Sequence, residues 1–194
     1  PISSFDFISD DTLVATMGVD KRTENLSLEE KKKIEKELEG YEDIEECGFY
    51  LNGEGYTDGR RNRLVYIKEG KCERVFDDDF SLETFTLSPD KSKILAVGET
   101  RKSPKQQFTS EIREVNTSDW SWKTVLPIGQ LSVYCAFHLG EKIVAIGNTM
   151  DRYGLNQNPD FFTVENEKIH LLKKWGEAIG STVGTDVRLG GGQP

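Results

Sequence analysis

The chain has 194 residues, of which 36% are apolar, with a formal net charge of −9. That length holds one ordinary domain with a real core. The acidic balance and the lack of a broad basic face argue against duplex nucleic acid as a partner, and no apolar run is long enough for a membrane span or has signal-peptide form.

In chain order, the apolar runs repeat. The first unit has Ser4–Ile8, a turn at Asp10-Asp11, then Leu13–Gly18. The second has Thr84–Leu87, a turn at Pro89-Asp90, then Ile94–Gly98. The third has Tyr134–Phe137, a turn at Gly140-Glu141, then Ile143–Gly147. Each reads as strand, tight turn, apolar strand, glycine. The apolar second strands do not alternate, so they read as central strands buried on both faces. Each glycine leads through a polar connection to two more strands: Leu64–Ile67 and Cys72–Phe76, Glu111–Val115 and Trp122–Leu126, Phe161–Val164 and Ile169–Leu172. Four antiparallel strands per unit make a β-propeller blade, and Gly98 and Gly147 lie 49 residues apart, near the roughly 40–50 of a blade period.

The expected fold is therefore all-β: a partial, open β-propeller of about three four-stranded blades. The units are residues 1–79, 80–129 and 130–176, with 177–194 leading into a further blade. Neither end carries a stop signal for a fold, so the chain reads as part of something longer. Three blades cannot close a propeller, and open first and last edges favour self-association.

The first unit is lengthened by an insertion at about residues 24–47. From Glu24 to Glu46 it holds ten acidic residues and four lysines. Ser27-Leu28-Glu29-Glu30 fits a capping box, Gly40 suits a C-terminal cap, and Glu29 and Lys33 are spaced as a helical ion pair. This predicts one exposed, charged helix, either a solvated insertion or a docking helix. The long connections Val19–Asn62, Thr100–Thr109 and Thr149–Pro159 are all of the second-to-third-strand kind, which places them on one mouth of a propeller.

Few residues carry chemistry. Cys47, Cys72 and Cys135 are odd in number and widely spaced, as for buried or partly buried free thiols of a cytoplasmic protein, with a metal or redox site as the other reading. Asp77-Asp78-Asp79 lacks the spacing and closing Glu of a Ca²⁺ loop and reads as a solvated acidic turn. Gly53-x-Gly55-x-x-x-Gly59 departs from the dinucleotide fingerprint and has no βαβ unit around it. No cofactor or metal is expected. Trp120, Trp122 and Trp175 read as packing residues, and His138 and His170 as structural.

Gly48–Ile67 is the most distinctive stretch. Its Gly-Glu-Gly-Tyr turn, Asp58-Gly59 turn and basic Arg60, Arg61 and Arg63 precede a strand. Phe49, Tyr50, Asn52, Gly53, Glu54, Gly55, Tyr56, Asp58, Arg60 and Arg61 resemble the β-propeller domain of acylaminoacyl-peptidase-like enzymes of the prolyl oligopeptidase family. Weaker likeness runs through Leu87-Ser88-Pro89-Asp90 and Asp186–Gly191.

The resemblance implies a non-catalytic propeller that gates short peptides to an α/β-hydrolase domain of the same polypeptide. This chain alone is then no enzyme. Gly180-Ser181-Thr182-Val183-Gly184 puts Thr at the nucleophile position and lacks the strand and helix of a nucleophile elbow. Glu54, Tyr56, Arg60 and Arg61 are the expected substrate- or domain-interface residues, with a structural salt bridge as the other reading of the arginines. Short peptides, the hydrolase domain and a homo-oligomer are the expected partners. A free-standing propeller that binds another protein is the alternative.

Overall fold

A computed structural model describes residues 2–41, 43–47, 50–51, 55–105, 107–177 and 179. The chain forms two compact units, Pro1–Glu83 with Gly98–Gln107, and Thr84–Val97 with Phe108–Pro194.

The structure is mostly β. In chain order it runs β1 (Ile2–Phe7), β2 (Thr12–Asp20), helix α1 (Leu28–Glu37), β3 (Tyr50–Leu51), β4 (Gly55–Tyr56), β5 (Arg60–Lys68) and β6 (Lys71–Arg74). It continues with β7 (Phe80–Leu87), β8 (Lys93–Thr100), β9 (Ser110–Asn116), β10 (Trp122–Leu139), β11 (Lys142–Asn148), a 3₁₀ turn at Gly154–Asn156, β12 (Asp160–Glu165) and β13 (Lys168–Lys173).

The first four-stranded sheet has the order β1-β2-β5-β6 and is antiparallel throughout. β2 and β5 pair from Thr12↔Lys68 to Asp20↔Arg60 without interruption. The 39 residues between the ends of that ladder, α1 included, therefore leave and return at neighbouring positions. Val14, Ala15, Leu64, Val65, Phe76 and Phe80 are buried, and the Phe76 and Phe80 rings meet edge to face at 4.9 Å.

The second sheet has seven strands in the order β13-β12-β11-β10-β9-β8-β7. Where the sequence suggests two strands at Trp122–Leu126 and Tyr134–Phe137, the structure has one, β10, of 18 residues. Its first half pairs with β9 and its second half, Ser132–Leu139, with β11. The register shifts between Leu126 and Leu131, across Pro127 and Gly129, where Gly129 has φ +110°. Proline cannot donate to a ladder and glycine takes this φ freely, so the strand shifts register there without breaking, and its partner changes from β9 to β11 after Leu131. Leu95, Val97, Ile112, Leu126, Leu131, Ala136, Ala145 and Phe162 form the apolar core of the second unit.

Two glycines of the repeat have a steric cause. A Cβ on Gly98 would lie 2.2 Å from the Ser81 carbonyl oxygen, and one on Gly147 would lie 2.3 Å from that of Ser132. At both, the strand after the tight turn lies too close to the backbone of the strand before it for any side chain.

Helix α1 forms as the capping box requires. Glu30 N donates to Ser27 Oγ, and the Glu30 carboxylate accepts from Ser27 N at 2.8 Å. None of its residues is buried. Lys33 pairs with Glu37, at 3.9 Å, rather than with Glu29. Glu29 and Glu30 instead lie in the first turn, where the positive end of the helix dipole favours them. Gly40 follows the helix with φ +92°.

Candidate functional site

The Arg60–Arg63 strand start is the hub of an ion-pair network in the first unit. β5 alternates, so Arg61 and Arg63 point to the buried side and Arg60 to solvent. Arg61 is 2% exposed and makes two bidentate pairs. Its Nη1 and Nη2 donate to Glu46 Oε2 and Oε1 at 3.0 and 2.6 Å, and its Nε and Nη2 donate to Asp79 Oδ1 and Oδ2 at 2.9 Å each. Arg63 donates to the Phe80 carbonyl at 2.8 Å, to Asp79 at 3.2 Å and to Glu24 at 3.0 Å. Arg74 reaches Glu24 at 3.4 Å.

The insertion is closed at both ends by this network. At its start, Lys21 pairs with Glu46, and Lys21 N donates to the Gly59 carbonyl at 2.9 Å. At its end, Asp58 Oδ1 accepts from Glu45 N and Glu46 N at 3.2 and 2.6 Å. Gly59 has φ +71°, and a Cβ there would lie 2.8 Å from Arg22 Nε and 2.9 Å from Asp20 Oδ1. The Asp-Gly turn is thus fixed by conformation and by crowding. Arg101 completes the network, donating to Glu46 at 2.8 Å and to Glu99 at 2.7 Å.

The charges shift accordingly. Hydrogen bonds from Arg61 hold the Glu46 carboxyl far below its usual range, against the opposing effect of burial and with help from Lys21. Burial works against ionised Asp79 as well, but the hydrogen bonds and charges of Arg61 and Arg63 outweigh it and lower its pKa. The same two carboxylates raise the pKa of Arg61 despite its burial.

The sequence-expected residues fall apart into different settings. Arg61 is enclosed by Glu46 and Asp79. Arg60 is exposed, its N–H donating to the Thr57 carbonyl at 3.1 Å and its carbonyl accepting from Arg61. Tyr56 is 44% exposed and meets Tyr50 edge to face at 5.5 Å across the β3–β4 hairpin. Glu54, Gly53 and the Gly180–Gly184 string lie outside the described residues, as does Asp186–Gly191.

Sequence reading missed Glu46, buried at the end of an insertion expected to be solvated. It also missed Asp79, the last residue of an acidic run taken as a solvated turn. The signal for both was present: alternating arginines entering a half-buried strand need buried acids.

The three cysteines are free thiols, but Cys47 and Cys72 are exposed rather than buried or partly buried as expected, and only Cys135 is half-buried, where burial raises its pKa. Trp122 lies against the Arg113 guanidinium, 4.2 Å from the ring centroid, and Trp175 against Phe161 at 5.8 Å. His138 Nε2 lies 3.1 Å from Glu114 Oε1, which also accepts from Lys93, and His170 is exposed on β13. Among the described residues no group of three His, Cys, Asp or Glu could hold a metal ion, and no helix is long and apolar enough to cross a membrane.

Solved structures of acylaminoacyl peptidases are similar to this chain. The Pyrococcus horikoshii acylaminoacyl peptidase aligns with 90% of it at 13% identity and a TM-score of 0.41. An acylaminoacyl peptidase in complex with Z-Gly-Gly-Phe-chloromethyl ketone aligns with the same coverage, identity and TM-score. The chain covers 32% of each, about a third of their length. No protein-family profile and no curated protein matches it by sequence.

Proposed function

We propose that this chain is the non-catalytic β-propeller part of an acylaminoacyl-peptidase-like serine peptidase, gating short peptides to a hydrolase domain of the same polypeptide. The observation that carries the reading is the repeated unit of strand, turn, strand and glycine. Its backbone contact recurs at Gly98–Ser81 and Gly147–Ser132, as expected of successive blades. In this reading β1-β2-β5-β6 is one blade. β7, β8, β9 and the first half of β10 form the second, and the second half of β10 with β11, β12 and β13 forms the third.

The residues of the motif resemblance then have separate tasks. Asp58, Gly59 and Arg61 fix the root of the insertion. Tyr56 and Arg60 remain exposed at that root, on an elaborated connection, where binding tends to concentrate. They are the contact points for the hydrolase domain or for a peptide on its way to it. The nucleophile and oxyanion hole are supplied by the hydrolase domain.

The test is the length profile of cleavage by the full-length protein. N-acylated peptides of increasing length are compared with an unfolded protein of the same acylated start. A gating propeller predicts that kcat/KM falls steeply with length and that Arg60→Ala raises KM. Equal cleavage of tripeptide and unfolded protein would overturn the gating role.

A further inference from the structure

The connection between β11 and β12 and the β12–β13 hairpin line a half-open pocket of about 420 Å³ in the second unit. It is braced before any ligand arrives. Gln157 Nε2 donates to Thr149 Oγ1 and its Oε1 accepts from Arg152 N, both at 3.1 Å. Asn158 Nδ2 donates to the Gly176 carbonyl at 3.1 Å, tying the connection to the segment after β13.

The lining is amphipathic. Phe162 and Leu171 are cross-strand neighbours in the β12–β13 ladder. Phe162 is buried, whereas Leu171 is 60% and Tyr153 71% exposed, an unusual concentration of open apolar surface beside a cavity. Two acids and two bases also line it, in unequal states. Asp151 accepts from Thr149 Oγ1 at 2.8 Å and Asp160 from Trp175 N at 2.7 Å. Among the described residues neither Arg152 nor Lys174 makes a salt bridge or a side-chain hydrogen bond, although the Arg152 charge helps to lower the Asp151 pKa. The acids accept hydrogen bonds that hold the connection in place, whereas among the described residues neither cation donates from its side chain.

We propose that this cavity binds an apolar carboxylate, of the kind presented by a peptide that ends in a large hydrophobic residue. The hydrophobic group lies on Phe162, Leu171 and Tyr153, and the carboxylate is met by Arg152 and Lys174. A pocket that is mostly apolar with a few convergent polar groups suits such a ligand, and charge-assisted hydrogen bonds from guanidinium and ammonium supply the preference for the acid.

N-acetylphenylalanine and its uncharged amide are the probes, titrated into the chain while backbone amide shifts are followed by NMR. The acid is expected to bind saturably, about tenfold more tightly than the amide, a difference of about 1.4 kcal/mol. Shifts should concentrate at Tyr153, Leu171 and Gly176. Arg152→Gln with Lys174→Gln should reduce the acid to the affinity of the amide, and Leu171→Ser should weaken both probes. All three positions carry exposed side chains, so the fold is retained. Equal affinity for acid and amide, no saturable binding of the acid, or binding indifferent to these substitutions would overturn the proposal.

Discussion

Arg61 and Glu46 meet as two planar forks, with N–O distances of 3.0 and 2.6 Å, although 15 residues separate them and both are buried. The same guanidinium grips Asp79 on its other edge. One residue at the start of β5 thereby holds the end of the insertion and the approach to β7. Removing one partner of a buried pair strands the other charge, a loss of about 3–5 kcal/mol. Arg61→Ala should therefore lower the denaturation midpoint severely. Arg61→Lys should recover little, because an ammonium cannot make two forked contacts at once. Arg60→Ala, at the exposed neighbouring position, should change the midpoint by no more than about 0.5 kcal/mol. Chemical denaturation of the three variants distinguishes these outcomes.

The network also predicts an acid limb of stability. Glu46 and Asp79 have folded-state pKa values below their ordinary 4.5 and 3.8. A group depressed on folding stabilises the protein above its unfolded pKa, and that stabilisation is lost as pH falls through the folded value. Thermal midpoints should hold from pH 7 to about 5 and then fall progressively from about 4.5 downward. Glu46→Gln should lower the midpoint at pH 7 and flatten the decline. An unchanged slope in Glu46→Gln would remove Glu46 from this account.

At the two packed glycines the cost is steric. Gly98→Ala and Gly147→Ala would each drive a methyl into a backbone carbonyl, which must shift. Overpacking of this kind costs about 1–3 kcal/mol, so both variants should show reduced unfolding midpoints. Gly140 has φ +61° and no atom within 4 Å of an added Cβ. Gly140→Asn should be nearly neutral, since asparagine tolerates that backbone region. Parallel denaturation of the three variants checks the contrast.

Helix α1 should open independently of the sheets. It buries no residue and depends on local terms. Ser27→Ala removes an N-cap worth about 1 kcal/mol. Amide exchange within Leu28–Glu37 should accelerate about fivefold, with the global midpoint almost unmoved. A matching drop in global stability would mean that the helix is coupled to the sheet.

The strands were legible in the sequence because their information is local. Glu69-Gly70 and Asn166-Glu167 both close two-residue hairpins with positive φ at each position, and the apolar runs between turns lie close to the observed strands. Ser27 and Glu30 marked the start of α1. What could not be read was long-range. Nothing near Arg61 in the chain names Glu46 or Asp79 as its partners, and charge composition alone made both acids look solvated. The continuity of β10 was hidden because Pro127 and Gly129 ordinarily punctuate strands, whereas here they mark a register shift within one.

The most direct test of the central claim is active-site labelling of the full-length protein with a fluorophosphonate, followed by mapping of the modified residue by mass spectrometry. The account predicts a single labelled serine within a Gly-x-Ser-x-Gly sequence outside these 194 residues, and no labelling of this chain alone. A label on any serine of this chain, Ser181 included, or no reactive serine in the full-length protein, would contradict it.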